Sequence, residues 1–382
     1  MSTNSNKIIG LSNPLTVVQV LPALQAGGVE LSTLEVAAEL VRKGHRSIVI
    51  SAGGRMVADL VAGGSEHIEW PIGRKSPWTL RLVPRLRRFL RERQPDILHA
   101  HSRLPAWVAY LAWRGMDRNA RPRFLTTVHG IYRAGRYSAI MARGERVIAV
   151  SQAVKNYLLA HYRFVPPETI TVIHGGIDPA HFPYGFRPGA EWLAAWRSSQ
   201  PQLAGKKILT LPGRLTRLKG HQDFIRLIGD LTARGLPVHG LAVGDISPKK
   251  TNYFKELIKS IQDAGLDKDI SFLGHRQDVR EIMAVSDLVL SLSHQPEAWG
   301  RTVIEPLSMG KPVLCYDHGG VTEILRASGF SGGVPSGDLA ALTEKAASLL
   351  ENPVQIAPWP IFRLQDMLDK TLALYDELKR TN

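Results

Sequence analysis

From Leu15 onward, short apolar runs alternate with stretches of helical period. Leu15-Thr-Val-Val-Gln-Val-Leu21 predicts a strand, followed by a glycine-containing loop and an amphipathic helix from about Val29 to Lys43. Further strand-like runs stand at 45–53, 96–102, 123–130, 146–151 and 169–178. Several are apolar throughout, which is the pattern of strands covered on both faces in a parallel sheet. Residues 179–204, rich in Pro, Gly and Trp, have no clear period and read as a connector. The pattern then restarts, with strands at 206–214, 238–245, 269–275, 287–293 and 311–320 and helices near 220–235, 251–265, 277–285 and 301–309. Residues 362–381 carry a strong helical period with no strand after them. Strands alternating with helices predict an α/β class with doubly wound parallel sheets. The expected domains are 1–180, a connector at 181–204, and 205–358, with a C-terminal helix at 360–382 packing back on the first.

Composition adds little to this, but charge does. Of 382 residues, 44% are hydrophobic and 21% charged, as in ordinary globular chains. No run reaches the roughly 18 apolar residues that a spanning helix needs, and the polar opening dozen residues do not resemble an export signal. A cytoplasmic protein is therefore expected. The single cysteine, Cys315, lies in an apolar run and reads as a small buried hydrophobe. The formal charge is +14, and residues 1–180, with 24 Lys and Arg against 12 Asp and Glu, hold +12 of it. Arg81-Leu-Val-Pro-Arg-Leu-Arg-Arg-Phe-Leu-Arg-Glu-Arg93 alone contains six arginines. It suits a surface helix that packs on Leu82, Leu86, Phe89 and Leu90 and keeps its arginines in water. Equally, its charge suits an anionic membrane face or a phosphorylated acceptor, which would make the chain peripheral on the inner face of the cytoplasmic membrane.

Ligands of open α/β sheets sit at the carboxyl ends of strands, so the residues just after each strand hold the chemistry. After the first strand, Gly27-Gly28 opens a helix, where paired glycines admit a close backbone approach and the helix N-terminus attracts an anion. An ordinary turn explains this pair as well, and the absence of GxGxxG counts against a usual NAD site. Thr127-Val-His129-Gly130 ends another strand with a histidine able to hydrogen-bond a sugar hydroxyl, or simply to fill a structural place. His99 and His101, in His-Ala-His, are spaced as strand neighbours rather than as metal ligands. At the start of the second half, Pro212-Gly213-Arg214 and Lys219-Gly220 place a guanidinium fork and a flexible ammonium where a strand gives way to a loop, suited to share a diphosphate. The densest signal is Pro296-Glu297-Ala-Trp-Gly300-Arg-Thr-Val-Ile-Glu305, between two strands. Its helix begins near Arg301. Gly300 and the amides of Arg301 and Thr302 then face a phosphate, Glu305 accepts from a ribose diol, and Glu297 accepts from hydroxyls of the transferred sugar.

These segments, with PALQAGGVE, PDILHAHS, TTVHG, IHGGID, GRLTRLKG, FLGH, PEAWGRTVIEPLSMGKPV and HGGVTEIL, resemble the retaining glycosyltransferases of family four, also called group 1, over nearly the whole chain. Their style is similar to that of bacterial transferases of the lipopolysaccharide core. The resemblance implies a GT-B fold: two doubly wound Rossmann-like domains facing a central cleft. It implies a hexosyltransferase-type enzyme that retains anomeric configuration without a metal. The co-substrate would be a nucleotide sugar, UDP-linked first and GDP-linked as the alternative, and the acceptor a glycan or glycolipid. By position, Arg214 and Lys219 would hold the diphosphate, Glu305 the ribose and Glu297 the donor sugar. Gly28 would line the cleft, His129 touch the sugar, and Leu273, Gly274 and His275 lie near the base. Two departures stand out: His174-Gly-Gly-Ile-Asp178 replaces the usual Asn-Gly-(Ile/Val)-Asp, and Trp299 precedes Gly300. A nucleotide-sugar epimerase of the same architecture is the main alternative, but the two glutamates with seven residues between them argue against it. A basic nucleic-acid-binding protein is the further alternative, but no clustered aromatics interleave with the arginines and no nucleic-acid module is recognisable, so nucleic acid is not an expected partner.

Overall fold

The computed structural model describes residues 14–245, 251–359 and 362–380. The polar opening dozen lies outside the described residues, as do 360–361 and 381–382, at either end of the expected last helix. The chain falls into two compact units: residues 1–149, 155–173 and 368–382 form one, and residues 150–154 and 174–367 the other.

The first unit is built on a seven-stranded parallel sheet of β1 (Thr16–Val20), β2 (Arg46–Ser51), β3 (Glu66–Glu69), β4 (Ile97–Ala100), β5 (Arg123–Val128), β6 (Arg146–Ala149) and β7 (Ile170–Val172). The order β3-β2-β1-β4-β5-β6-β7 reverses between β1 and β4, where Val17 pairs with both Ser47 and Ile97. Around the sheet run α1 (Gly28–Arg42), α2 (Val57–Ala62), α3 (Leu82–Arg93), α4 (Arg103–Arg114) and α5 (Gln152–His161). Val17, Val18 and Val20 of β1 are fully buried, as are Ile48, Val49 and Ile50 of β2, which accounts for the unbroken apolar runs. β3 was not expected from the sequence. Its Glu-His-Ile-Glu lies at the sheet edge, where one face remains in water and no apolar run is required.

Along α3 the apolar face is spent inward on Leu82, Leu86, Phe89 and Leu90. Its arginines divide. Arg87 donates to the carbonyls of Leu111 and Ala112, at 3.2 Å each, and so caps the last turn of α4. Arg93 pairs with Glu66 at 2.9 Å, while Arg81, Arg85, Arg88 and Arg91 are exposed.

The second unit opens with α6 (Ala190–Ser199), inside the stretch that reads as a connector without a clear period. Trp192 and Trp196, one turn apart, stack at 5.1 Å, and Trp196 is buried in a cluster with Leu241, Val243 and Ile282. Two tryptophans on one face suffice to dock this helix, too few to register as a period. The sheet comprises β8 (Lys207–Pro212), β9 (Val238–Val243), β10 (Ile270–Gly274), β11 (Leu288–Ser291), β12 (Val313–Tyr316) and β13 (Gly333–Val334), parallel and in the order β10-β9-β8-β11-β12-β13. Its helices are α7 (His221–Ala233), α8 (Thr251–Asp263), α9 (Val279–Val285), α10 (Arg301–Ser308), α11 (Gly320–Ser328) and α12 (Leu339–Glu351). Cys315 is wholly buried in β12, and loss of water pushes its thiol pKa up. The last helix, α13 (Leu364–Arg380), buries Leu368, Leu372, Tyr375 and Leu378. Tyr375 hydrogen-bonds His99 of β4 at 2.7 Å, and Lys379 pairs with Asp96 at 3.0 Å, which places residues 368–380 on the first unit.

Both units bury histidines in or beside strands. Loss of water drives His129, His221 and His239 down to about 4, and His99 and His101 well below their usual value of 6.5. The unfolded chain therefore binds more protons than the native one below pH 6.5. The stability these neutral rings contribute is complete above that value and is lost as pH falls towards the native pKa. The melting temperature should accordingly decline between about pH 6.5 and 5.5, before paired carboxylates begin to protonate. A melting temperature that is level across this window in a pH series would contradict burial of the neutral rings.

Candidate functional site

In the second sheet β8 runs on to β9 on one side, and β11 to β12 on the other, so the loops after β8 and β11 part at a topological switch point. They also touch. Gly220 has φ 73°, and a Cβ there would stand 2.0 Å from the Leu292 carbonyl oxygen, so only glycine permits the approach. The His294 amide donates to the Leu218 carbonyl at 2.9 Å. Across this contact the Lys219 ammonium is ion-paired with the Glu297 carboxylate. Ser293 Oγ donates to the same carboxylate oxygen at 2.5 Å. A third loop, after β12, holds the Glu297 backbone: the Gly320 amide donates to its carbonyl at 2.8 Å, and His318 Nε2 donates to the Ser293 carbonyl at 2.7 Å.

Burial alone would push the Glu297 carboxyl up. The adjacent Lys219 charge, hydrogen bonds from Lys219 and Ser293, and His318 outweigh it and hold the pKa below the ordinary carboxylate value. Glu297 is thus a fixed anion with three loops around it. Behind it, Asp223 of α7 is buried and takes the Tyr316 hydroxyl at 2.5 Å and His294 Nε2 at 2.9 Å. Asp223, Ser293, His294, Tyr316 and His318 escaped the sequence reading. Each is a common polar residue whose role depends on a partner far along the chain; only the placement of Ser293 and His294 directly after a strand hinted at it.

The remaining residues expected of this half lie at the same carboxyl ends. Gly300, with φ 118°, caps α10, and the Val303 and Ile304 amides return to its carbonyl at 2.9 and 3.1 Å. The Arg301 and Thr302 amides precede these bonds at the N-terminus. Thr302 is tied through its hydroxyl to Ser291 at 3.1 Å. One turn on, Glu305 accepts from Arg301 Nε at 2.8 Å, so the two charges are paired along the helix. Arg214 follows Gly213 at the end of β8; it is exposed and has no ion-pair partner among the described residues. Gly274 ends β10 in the left-handed region, at φ 66°, and His275 Nδ1 lies 3.7 Å from Asp245. Lys219 and Glu297 are therefore in direct contact, Arg301 and Glu305 form a second pair, and Arg214 stands at the end of β8 and Gly274 and His275 at the end of β10, with β9 between them.

In the first unit, Gly28 is the exposed first residue of α1, after Gly27 at φ 142°. His129 follows β5 and lies 3.1 Å from His101, which in turn bonds Gln19 of β1 at 2.9 Å. His99 lies between Tyr375 and Thr127. The two histidines of His-Ala-His are thus network members in the core. Their i, i+2 spacing placed them on one face of β4, but nothing local identified Gln19 as the partner. Among the described residues no group of three or more His, Cys, Asp or Glu is arranged to hold a metal ion.

Comparison with known proteins agrees with this two-unit layout. The family described as Glycosyltransferase Family 4 matches residues 26–181, and Glycosyl transferases group 1 matches residues 194–359. A glycosyltransferase from Rickettsia africae ESF-5 is 30% identical, with TM-score 0.84 over 97% of this chain and all of that one (100%). Anabaena Alr3699/HepE, solved with UDP and glucose, is 21% identical, with TM-score 0.81 over 95% of this chain and 99% of that one. WaaG, a glycosyltransferase involved in lipopolysaccharide biosynthesis, is 18% identical, with TM-score 0.70 over 96% of this chain and 98% of that one. With both halves matched and 30% identity sustained along nearly its whole length, the chain belongs to the glycosyltransferases that join a family 4 half to a group 1 half in the GT-B architecture.

Proposed function

We propose that this glycosyltransferase moves a hexose from a nucleoside-diphosphate sugar to a glycan or glycolipid in cell-surface glycan assembly, with lipopolysaccharide as the leading case. The single observation that carries the reading is the Lys219–Glu297 ion pair at the switch point of the second sheet. An ammonium there, with the exposed Arg214 fork, supplies the positive charge that a departing diphosphate requires. Beside it, a carboxylate kept ionised accepts hydrogen bonds from donor-sugar hydroxyls. The Arg301 and Thr302 amides at the start of α10 suit a phosphate, and Glu305, released from Arg301, would take the ribose diol. Gly213, Gly274 and His275 would border the nucleotide, while Gly28 and His129 act from the first unit. UDP is the first choice of nucleotide, supported by the UDP complex of the Anabaena relative; GDP is the alternative. Retention of configuration without a metal follows the family pattern: the leaving diphosphate is neutralised by side chains and takes part in deprotonating the acceptor.

The acceptor side of the proposal rests on charge. Trp78 and Leu80 are 65% and 54% exposed just before α3, and the Arg81 guanidinium lies 3.6 Å from the Trp78 ring centre. An exposed tryptophan among free arginines suits the headgroup layer of an anionic membrane, where a lipid-linked acceptor is found. No helix among the described residues is long and apolar enough to cross a membrane.

Three outcomes are expected. In a thermal-shift panel of UDP, GDP, ADP and their sugar conjugates, one nucleotide should raise the melting temperature, and Lys219→Ala should abolish the rise. Glu297→Ala should fold and lose turnover by on the order of 100-fold; wild-type rates in the folded variant would refute its role. In vesicle sedimentation, phosphatidylglycerol vesicles should retain the protein, with phosphatidylcholine vesicles and Arg81→Glu/Arg88→Glu/Arg91→Glu failing to do so. Arg87 is left intact because it caps α4. Equal binding of the triple variant would remove the membrane from the account.

A further inference from the structure

We propose that Gln19 and His101 are positioning residues that fix His129 as its Nε2–H tautomer, leaving Nδ1 as a hydrogen-bond acceptor for a hydroxyl of the bound substrate. The argument follows protons along a chain of side chains within the first unit. Gln19 is wholly buried in β1, and its Nε2 donates to the Thr33 carbonyl of α1 at 3.3 Å. That carbonyl can only accept, so the amide orientation is determined and Gln19 Oε1 faces His101 Nε2 at 2.9 Å. An amide oxygen also can only accept. His101 must therefore carry its proton on Nε2.

The rest follows from neutrality. His101 is buried and strongly disfavoured as a cation, so its Nδ1 bears a lone pair. His129 Nε2, 3.1 Å away, must be the donor of that bond. His129 is itself held neutral by loss of water, its pKa down at about 4. With its single proton on Nε2, its Nδ1 is an acceptor, and that atom has no partner among the described residues. His129 is only partly covered at the end of β5, unlike His101. A neutral histidine would otherwise divide between two tautomers, one accepting and one donating at Nδ1. Here the backbone carbonyl of Thr33, three groups away, selects the accepting form.

This inference rests on the reading of His129 as a sugar contact, and the test separates the two. Long-range ¹⁵N–¹H correlation spectra of ¹⁵N-histidine-labelled protein near pH 7.5 report the protonated nitrogen of each ring directly, and the His129 pattern is assigned by its loss in His129→Gln. The expected result for the wild type is an Nε2–H pattern. An Nδ1–H pattern or an even mixture would overturn the relay without any variant. In Gln19→Met, His101 is free to turn its proton to Nδ1, and His129 should shift towards Nδ1–H. An unmoved His129 signature in folded Gln19→Met would overturn the proposal. If the tautomer shifts, a 10-fold or greater fall in kcat/KM in Gln19→Met extends the relay to the reaction. A shifted tautomer with wild-type kcat/KM leaves the relay standing and removes His129 from the sugar site.

Discussion

A carboxylate kept charged in a half-buried place is the constraint from which the second unit's site follows. Glu297 has lost much of its water, which by itself pushes its pKa up. Lys219, with Ser293 and His318, outweighs this, and the requirement shapes the neighbourhood. Lys219 can reach Glu297 only because Gly220 lets the loop after β8 press against Leu292. Glu297 is held in place because the loop after β12 bonds its backbone. Removing one partner of such a pair leaves a buried charge uncompensated, which costs more than the pair itself contributes. The pair is therefore weak evidence for stability and better evidence for chemistry: it places an anion and a cation side by side at the end of a sheet.

The first unit solves a similar problem without charge. Its polar residues at the β1–β4 switch are neutral, and their hydrogen bonds run in one direction from His129 through His101 and Gln19 to a backbone carbonyl. A neutral chain suits a surface that must recognise hydroxyls, since it presents a defined acceptor and repels no anion. A charged pair suits the place where charge departs. The strand ends of the two units thus differ in composition: histidine and glutamine in one, lysine, arginine and glutamate in the other.

Much of this was legible in the sequence. Strands buried on both faces declare themselves as apolar runs, and the eleven strand-like runs covered the interior strands of both sheets together with the edge strands β7 and β10. The other two edges gave no such run. β3 is Glu-His-Ile-Glu and β13 only Gly-Val, because an edge strand satisfies one neighbour and tolerates water. α6 was hidden for a different reason: two tryptophans anchor it, and a period needs more than two points. The placement of Arg214, Lys219, Glu297 and Glu305 at the carboxyl ends of strands could be read because each stands at a fixed offset from a strand end. Asp223, Tyr316 and Gln19 could not, since each acts through a partner at long range and nothing in its own neighbourhood distinguishes it. Arg87 is the opposite case. It looked like one more free charge in an arginine-rich run and is in fact bound to the end of α4.

The most direct test of the central claim is a crystal structure of this protein with a bound nucleoside diphosphate. The account predicts diphosphate oxygens on Lys219 and Arg214, the ribose on Glu305, and Glu297 free to face the position of the donor sugar. A diphosphate bound away from the carboxyl ends of β8 and β11, with the Lys219–Glu297 pair undisturbed, would contradict it.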